Sequence, residues 1–223
     1  MKRLVTLILA ALMLLCCSLP GSAVEMTKEE DQAARAKEAL GWFDKGAALE
    51  AAQKHEQAIE AFSKALELQL SFPQAFVARG QVYAKLGQNG RALEDYNRAI
   101  YLDRQNAQAF NSRGALFVAT GRNLSAVKDF TEAIVIDPGN SSYHENRAAA
   151  YARLKEFGKA IIDYSFVIAA DPRNKNALAG RGAAYYHSGD DKHALDDLQK
   201  ACSLGSKTGC TSLKALQKAK QGK

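Results

Sequence analysis

The sequence has no glycine-rich phosphate loop, no Gly-x-Ser-x-Gly elbow and no paired carboxylates beyond those that a repeat supplies. These absences remove the short signatures of nucleotide binding and of acyl-transfer catalysis. Cysteine is scarce: four in 223 residues, with Cys16 and Cys17 near the start and Cys202 and Cys210 near the end. Nothing supplies a base for nucleophilic cysteine chemistry. His187 and His193 with Cys202 and Cys210 match no short zinc motif, and His55 and His144 stand alone. No enzyme activity, metal or cofactor is therefore expected. Basic runs of five or more are also missing, so the formal charge of +6 is spread among interspersed acids and gives no footprint for nucleic acid.

Long apolar runs are lacking too. The uncharged stretch at residues 4–15 has 12 residues, against roughly 20 needed to cross a bilayer, and no integral span is expected. Lys2 and Arg3 precede it, and Pro20 with Gly21-Ser22-Ala23 follows, which is the layout of an export signal cleaved after Ala23. Residues 1–23 are read as that signal, placing the protein in the periplasm or outside the cell. The rival reading is a lipid anchor on Cys16 or Cys17, disfavoured because Leu15 or Cys16 stands where a lipobox has a small residue. Two cysteines remaining in an exported chain are compatible with one disulfide.

What the sequence does contain is a period of 34. Arg79, Arg113, Arg147 and Arg181 share it, each followed by a small residue at Gly80, Gly114, Ala148 and Gly182, with Gly46 extending the series backwards. Ala58, Ala92, Ala126, Ala160 and Ala194 keep the same spacing, as do the bulky Phe62, Tyr96, Phe130, Tyr164 and Leu198. A second large column runs through Leu49, Tyr83, Phe117, Tyr151 and Tyr185. Apolar residues recur at three and four positions within each period, the mark of helices with one buried face. Turn residues such as Gly121-Arg122-Asn123 and Asp171-Pro172-Arg173-Asn174 separate them. Gly80 and Ala92 are expected to meet where two helices cross. Asp95, Asp129, Asp163 and Asp197 follow the arginines by 16 residues, and the repeated match is read as a salt bridge within or between units.

These columns resemble the tetratricopeptide repeat, a 34-residue pair of antiparallel helices. The resemblance implies an all-α, right-handed α-solenoid of five units at 39–72, 73–106, 107–140, 141–174 and 175–208. A helical extension at 24–38 precedes them and a capping helix at 209–223 follows. Thr27-Lys28-Glu29-Glu30 reads as a capping box opening the first helix, and the closing helix is expected over 211–220, with Leu213 and Leu216 on one side. His144 departs from a column that is apolar at Trp42, Phe76, Phe110 and Leu178. The segment around Cys202 and Cys210 resembles the ending of Sel1-like repeats, which implies that the two are disulfide-bonded.

In this family the first helix of each unit lines the concave face. Carried onto this chain, that places Gln74, Gln81, Gln108, Asn111, Ser112, Glu145, Asn146, Asn176 and Tyr186 in a groove, together with Val77 and Ala179. The subclass that clamps a terminal carboxylate needs a Lys and Asn, an Asn, then a Lys and Arg in successive units, and only Asn146 fits. The implied role is a non-catalytic adaptor that binds a segment of another protein; the alternative is a solenoid that self-associates. Monomer and homodimer both stay open.

Overall fold

Three- and four-residue apolar spacing becomes helix throughout the part of the chain that the computed structural model describes, residues 20–221, with side chains from 27 to 219. The expected export signal falls mostly outside that range. Eleven helices occur among the described residues, and no helix there is long and apolar enough to cross a membrane. The chain forms two compact units, one ending at Ala75 and one beginning at Phe76.

In the first unit, α1 (Pro20–Ala51) turns back through Gln53 into α2 (His55–Leu68). The fully buried Phe62 ring fills the space left by the missing side chain of Gly46, and Phe43 packs on both Phe62 and Phe72. The helix α1 starts before Thr27, so the capping box does not open it; Ala23, Glu25 and Met26 are good helix formers and carry the helix backwards.

The second unit repeats one hairpin: α3 (Pro73–Lys85, from Phe76 onwards in this unit) with α4 (Asn89–Leu102), α5 (Ala107–Ala119) with α6 (Asn123–Ile136), α7 (Ser141–Arg153) with α8 (Phe157–Ala170), and α9 (Lys175–Ser188) with α10 (Asp191–Ser203). Neighbouring hairpins stack, as α5 on α4, α7 on α6 and α9 on α8, so each supplies the apolar cover that the previous one lacks. Asparagine begins three of the first helices. The side-chain oxygens of Asn106, Asn140 and Asn174 accept from Ala109, Ser142 and both Asn176 and Ala177 backbone N–H groups.

The crossing within a hairpin is set by a ring against a glycine. A Cβ on Gly80 would lie 2.8 Å from Tyr96, and on Gly114 2.7 Å from Phe130, whereas on Gly182 it would meet Leu198 at 2.9 Å. The nearest side chain to Gly80 is the Tyr96 ring, four residues beyond Ala92 on α4, and Ala92 is buried in the same cluster as that ring.

The four arginines clamp the four aspartates inside their own hairpins. Each guanidinium donates twice to its carboxylate, at 2.7–2.9 Å, in the pairs Arg79–Asp95, Arg113–Asp129, Arg147–Asp163 and Arg181–Asp197. The aspartates are buried and the arginines half-buried. Bonding to Asp163 and Asp197 raises the arginine pKa at 147 and 181 further, against the opposing effect of burial. Three of them also reach the preceding hairpin: Arg113 Nη1 donates to Asn97 Oδ1 at 2.7 Å, Arg147 Nη1 to Thr131 Oγ1 at 3.2 Å and Arg181 Nη1 to Ser165 Oγ at 3.0 Å. That second column was not read from the sequence, because Asn, Thr and Ser share only an oxygen.

His144 enters this machinery rather than the apolar column its position suggests. It is buried, stacks on Phe166 with ring centroids 3.9 Å apart, and presents Nδ1 to Asp163 Oδ1 at 3.1 Å and Nε2 to the Pro138 carbonyl at 3.3 Å. The last hairpin is closed by α11 (Lys207–Gln221), which packs on α9 and α10 through Leu216 and Leu213. It starts four residues earlier than expected, since Ser206 Oγ accepts from the Gly209 N–H at 3.1 Å. Cys202 and Cys210 are disulfide-bonded, with Cα atoms 4.6 Å apart, tying the end of α10 to the start of α11.

Two substitutions test this packing. Arg113→Met strands the buried Asp129 carboxylate, and urea denaturation should show a loss of about 3–5 kcal/mol. Gly114→Ala forces the Phe130 ring to shift and should lower stability by about 1 kcal/mol or more despite the better helix propensity of alanine. In contrast, Gly158→Ala, where the added carbon meets nothing within 4 Å, should be neutral or stabilising in the same melt.

Candidate functional site

The face built by the first helices of the second unit carries two notches that are the same place in the fold, 68 residues apart in sequence. One, of about 430 Å³, lies among α3, α4 and α5 and is lined by Gln81, Ala84, Lys85, Asn89, Tyr96, Gln108, Asn111, Ser112, Ala115, Leu116 and Ala119. The other, of about 760 Å³, lies among α7, α8 and α9 and is lined by Ala149, Ala152, Arg153, Lys155, Phe157, Tyr164, Gly180, Ala183, Ala184 and His187. Adding 68 to a residue of the first gives its counterpart in the second, so Lys85 becomes Arg153 and Tyr96 becomes Tyr164. Asn89 becomes Phe157, Ser112 becomes Gly180 and Ala119 becomes His187. A tyrosine thus floors both notches, while Phe130 holds the same place in the hairpin between them.

The two tyrosines sit differently. Tyr96 lies over Gly80 of its own hairpin, but the position equivalent to Gly80 in the hairpin of Tyr164 is Ala148. The Tyr164 ring instead leans towards the following hairpin, over Gly180, where an added Cβ would overlap Cζ and lie 2.7 Å from the hydroxyl. Burial pushes the Tyr164 hydroxyl up to about 12, with the Glu145 charge adding to the effect, so it stays a donor at any physiological pH. Burial also raises Tyr96, with help from Asp95.

The residues expected in the groove divide into three groups. Gln81 and Gln108 both donate from Nε2 to Ser112 Oγ, at 3.1 and 3.3 Å, and Ser112 is buried by them. Asn146 Nδ2 donates to Asn111 Oδ1 at 2.8 Å, and Glu145 Oε2 accepts from Asn174 Nδ2 at 3.1 Å. Except for the bond from Gln108, which stays within α5, these contacts join consecutive hairpins to one another. Asn176 and Tyr186 are exposed on α9, and Gln74 is exposed on α3 in the first unit. Val77 and Ala179, expected on the same face, are buried instead: Val77 packs with Ala99 and Ala109, and Ala179 with the core around Tyr164. A helix turn offers only about two positions to the groove, and these two fall on its inner edge.

Sequence reasoning missed Phe157 and Lys155 at the second notch, and Tyr164 was legible only as a member of the bulky column. Lys155 has φ +62 at a turn position where Gly87, Gly121 and Gly189 stand in the other hairpins of this unit. A side chain there costs about 1 kcal/mol of backbone strain. Phe157 of α8 and His187 of α9 stack with centroids 5.1 Å apart. Among the described residues no group of three or more His, Cys, Asp or Glu could hold a metal ion.

Residues 46–87 and 80–121 match the family model described as TPR repeat, the tetratricopeptide repeat. No curated protein matches the chain. Solved structures share the fold at low identity. PilF of Pseudomonas aeruginosa is 20% identical, with a TM-score of 0.71, over 77% of this chain and 78% of its own. MamA is 22% identical, with a TM-score of 0.67, over 76% and 92%. YrrB, described as a TPR protein with an unusual peptide-binding site, is 20% identical, with a TM-score of 0.67, over 87% and 97%.

Proposed function

Taking an α-solenoid of tetratricopeptide repeats as the premise, we propose that the protein is a non-catalytic scaffold of the cell envelope or secreted space. Its task is to hold a segment of another protein along the face of its first helices. The observation that carries this reading is the pair of equivalent notches: the same opening recurs at a two-hairpin interval, lined by alanines with a few polar side chains, as a bound chain crossing successive hairpins requires. The exposed members of the expected groove, Gln108, Asn176 and Tyr186, flank these notches or continue the line beyond them. YrrB, with its described peptide-binding site, lends the reading support by analogy of fold. Export is supported by the basic and apolar start of the sequence and by the Cys202–Cys210 disulfide, a bond that persists in oxidising compartments.

A second reading, self-association, is favoured by the exposed apolar side chains on second helices, Tyr101, Leu124, Val135 and Ile162, each about 70% exposed. Light scattering on the purified chain separates the two, since a monomer at micromolar concentration leaves those side chains without a partner copy.

Photocrosslinking in the native envelope tests the groove. A photoreactive residue at Asn111 or Asn146 should capture a discrete partner protein, whereas one at Glu132, exposed on α6, should not. Adducts from Glu132 alone would move the binding surface to the opposite face.

A further inference from the structure

The notch among α7, α8 and α9 differs from its counterpart in ways that point to one kind of occupant. We propose that it is the anchor site of the groove. There it takes a large apolar side chain of an extended partner segment, with a neighbouring Asp or Glu of that segment held by Arg153 and Lys155. This rests on the groove reading above and names the chemistry of what the groove binds.

The walls are Ala149, Ala183 and Ala184 with the ring of Phe157, an apolar slot wide enough for an aromatic or leucine side chain. At its floor the side chain of Tyr164 is more than nine-tenths buried, yet its hydroxyl has no hydrogen-bond partner among the described residues and faces the opening. The hydroxyl oxygen is not sealed from solvent, and an extended segment lying across the notch offers backbone carbonyls to accept from it in place of water. Gly180 is what lets the hydroxyl stand there.

The charge of the rim is one-sided. Arg153 and Lys155 are exposed and, among the described residues, form no ion pair. The acids nearest in sequence are engaged: Glu156 pairs with Lys159 at 3.3 Å and Glu145 accepts from Asn174. Lys155 occupies a left-handed turn position that glycine fills in the three other hairpins of this unit, so a strained backbone there holds a cation at the mouth of the slot. The counterpart notch has Gly87 at that position, Asn89 for Phe157 and Ala119 for His187. Both notches have a tyrosine at the floor, and the apolar slot with unpaired cations at its mouth distinguishes this one.

An array of N-acetylated, C-amidated random decapeptides, probed with the full mature chain, tests this with no terminal charge to confuse the result. The expected outcome is enrichment of peptides with Phe, Tyr, Trp or Leu beside Asp or Glu. For a fluorescein-labelled member of that set, Lys155→Gly should weaken binding about three- to tenfold, the range of a partly exposed charge-assisted contact. The same substitution should raise the melting temperature by relieving the turn, which a merely folding-related loss would not do. Tyr164→Phe, which copies the residue found at Phe62 and Phe130, should weaken binding about two- to tenfold with the fold intact. Enrichment of peptides without acidic residues, or affinity unchanged by both substitutions while crosslinks at Asn111 and Asn146 persist, would overturn the anchor and leave the groove standing. A monomer–dimer equilibrium that Lys155→Gly shifts would make the occupant a second copy and overturn the proposal. An array with no binding, together with no crosslink at Asn111 or Asn146, would overturn both readings.

Discussion

One side chain in each hairpin of the second unit fixes most of its architecture. A guanidinium held twice by a buried carboxylate sets how the two helices of a hairpin face each other, since the planar fork accepts only one orientation. From Arg113 onwards its remaining Nη also donates to the hairpin before, so the same group determines the stacking of neighbours. Burying a charge pair contributes little net stability. Its value is in excluding wrong registers, because any slip leaves an aspartate buried and unpaired. Hydrophobic burial around Phe130, Tyr164 and Leu198 supplies the driving force, and the clamp decides where that force leads.

This explains why the fold class was legible and why some details were not. The period of 34 is a repeated demand for the same contacts, and five copies of a small residue, a bulky apolar residue and an alanine leave no doubt about helices packed in pairs. The Arg–Asp spacing of 16 showed the clamp but not its reach, because Asn97, Thr131 and Ser165 are three residue types doing one job. The start of α1 was missed for a different reason. A capping box is a local signal, and helix formers upstream of Thr27 continue the helix through it. His144 looked like a defect in an apolar column, whereas its ring stacks as an apolar residue would and also bonds to Asp163.

The candidate site was legible as a face, and only partly as residues. Amides at Gln81, Asn111 and Asn146 do lie on first helices, but sequence alone cannot show that they bond across hairpins instead of facing outward. Nor can it show that Tyr164 leans away from Ala148 towards Gly180. Columns identify what repeats, and a binding site on a repeated scaffold is made by what does not. The informative positions are the exceptions: Ala148 for glycine, Gly180 for serine, Lys155 for glycine.

That distinction bears on where binding energy on such a face comes from. An amide already bonded to its neighbour gains little by exchanging that partner for a ligand's backbone, since one good hydrogen bond replaces another and the net worth of each is about 1 kcal/mol to begin with. The ladder from Gln81 to Asn146 therefore stiffens the face more than it attracts. An alanine-lined slot with unpaired cations at its rim is in the opposite condition, because apolar area leaves water and two charges gain a partner together on occupation. Rigidity in the amides and dissatisfaction in the notch are complementary: the first keeps the second from collapsing onto itself while it waits for a partner.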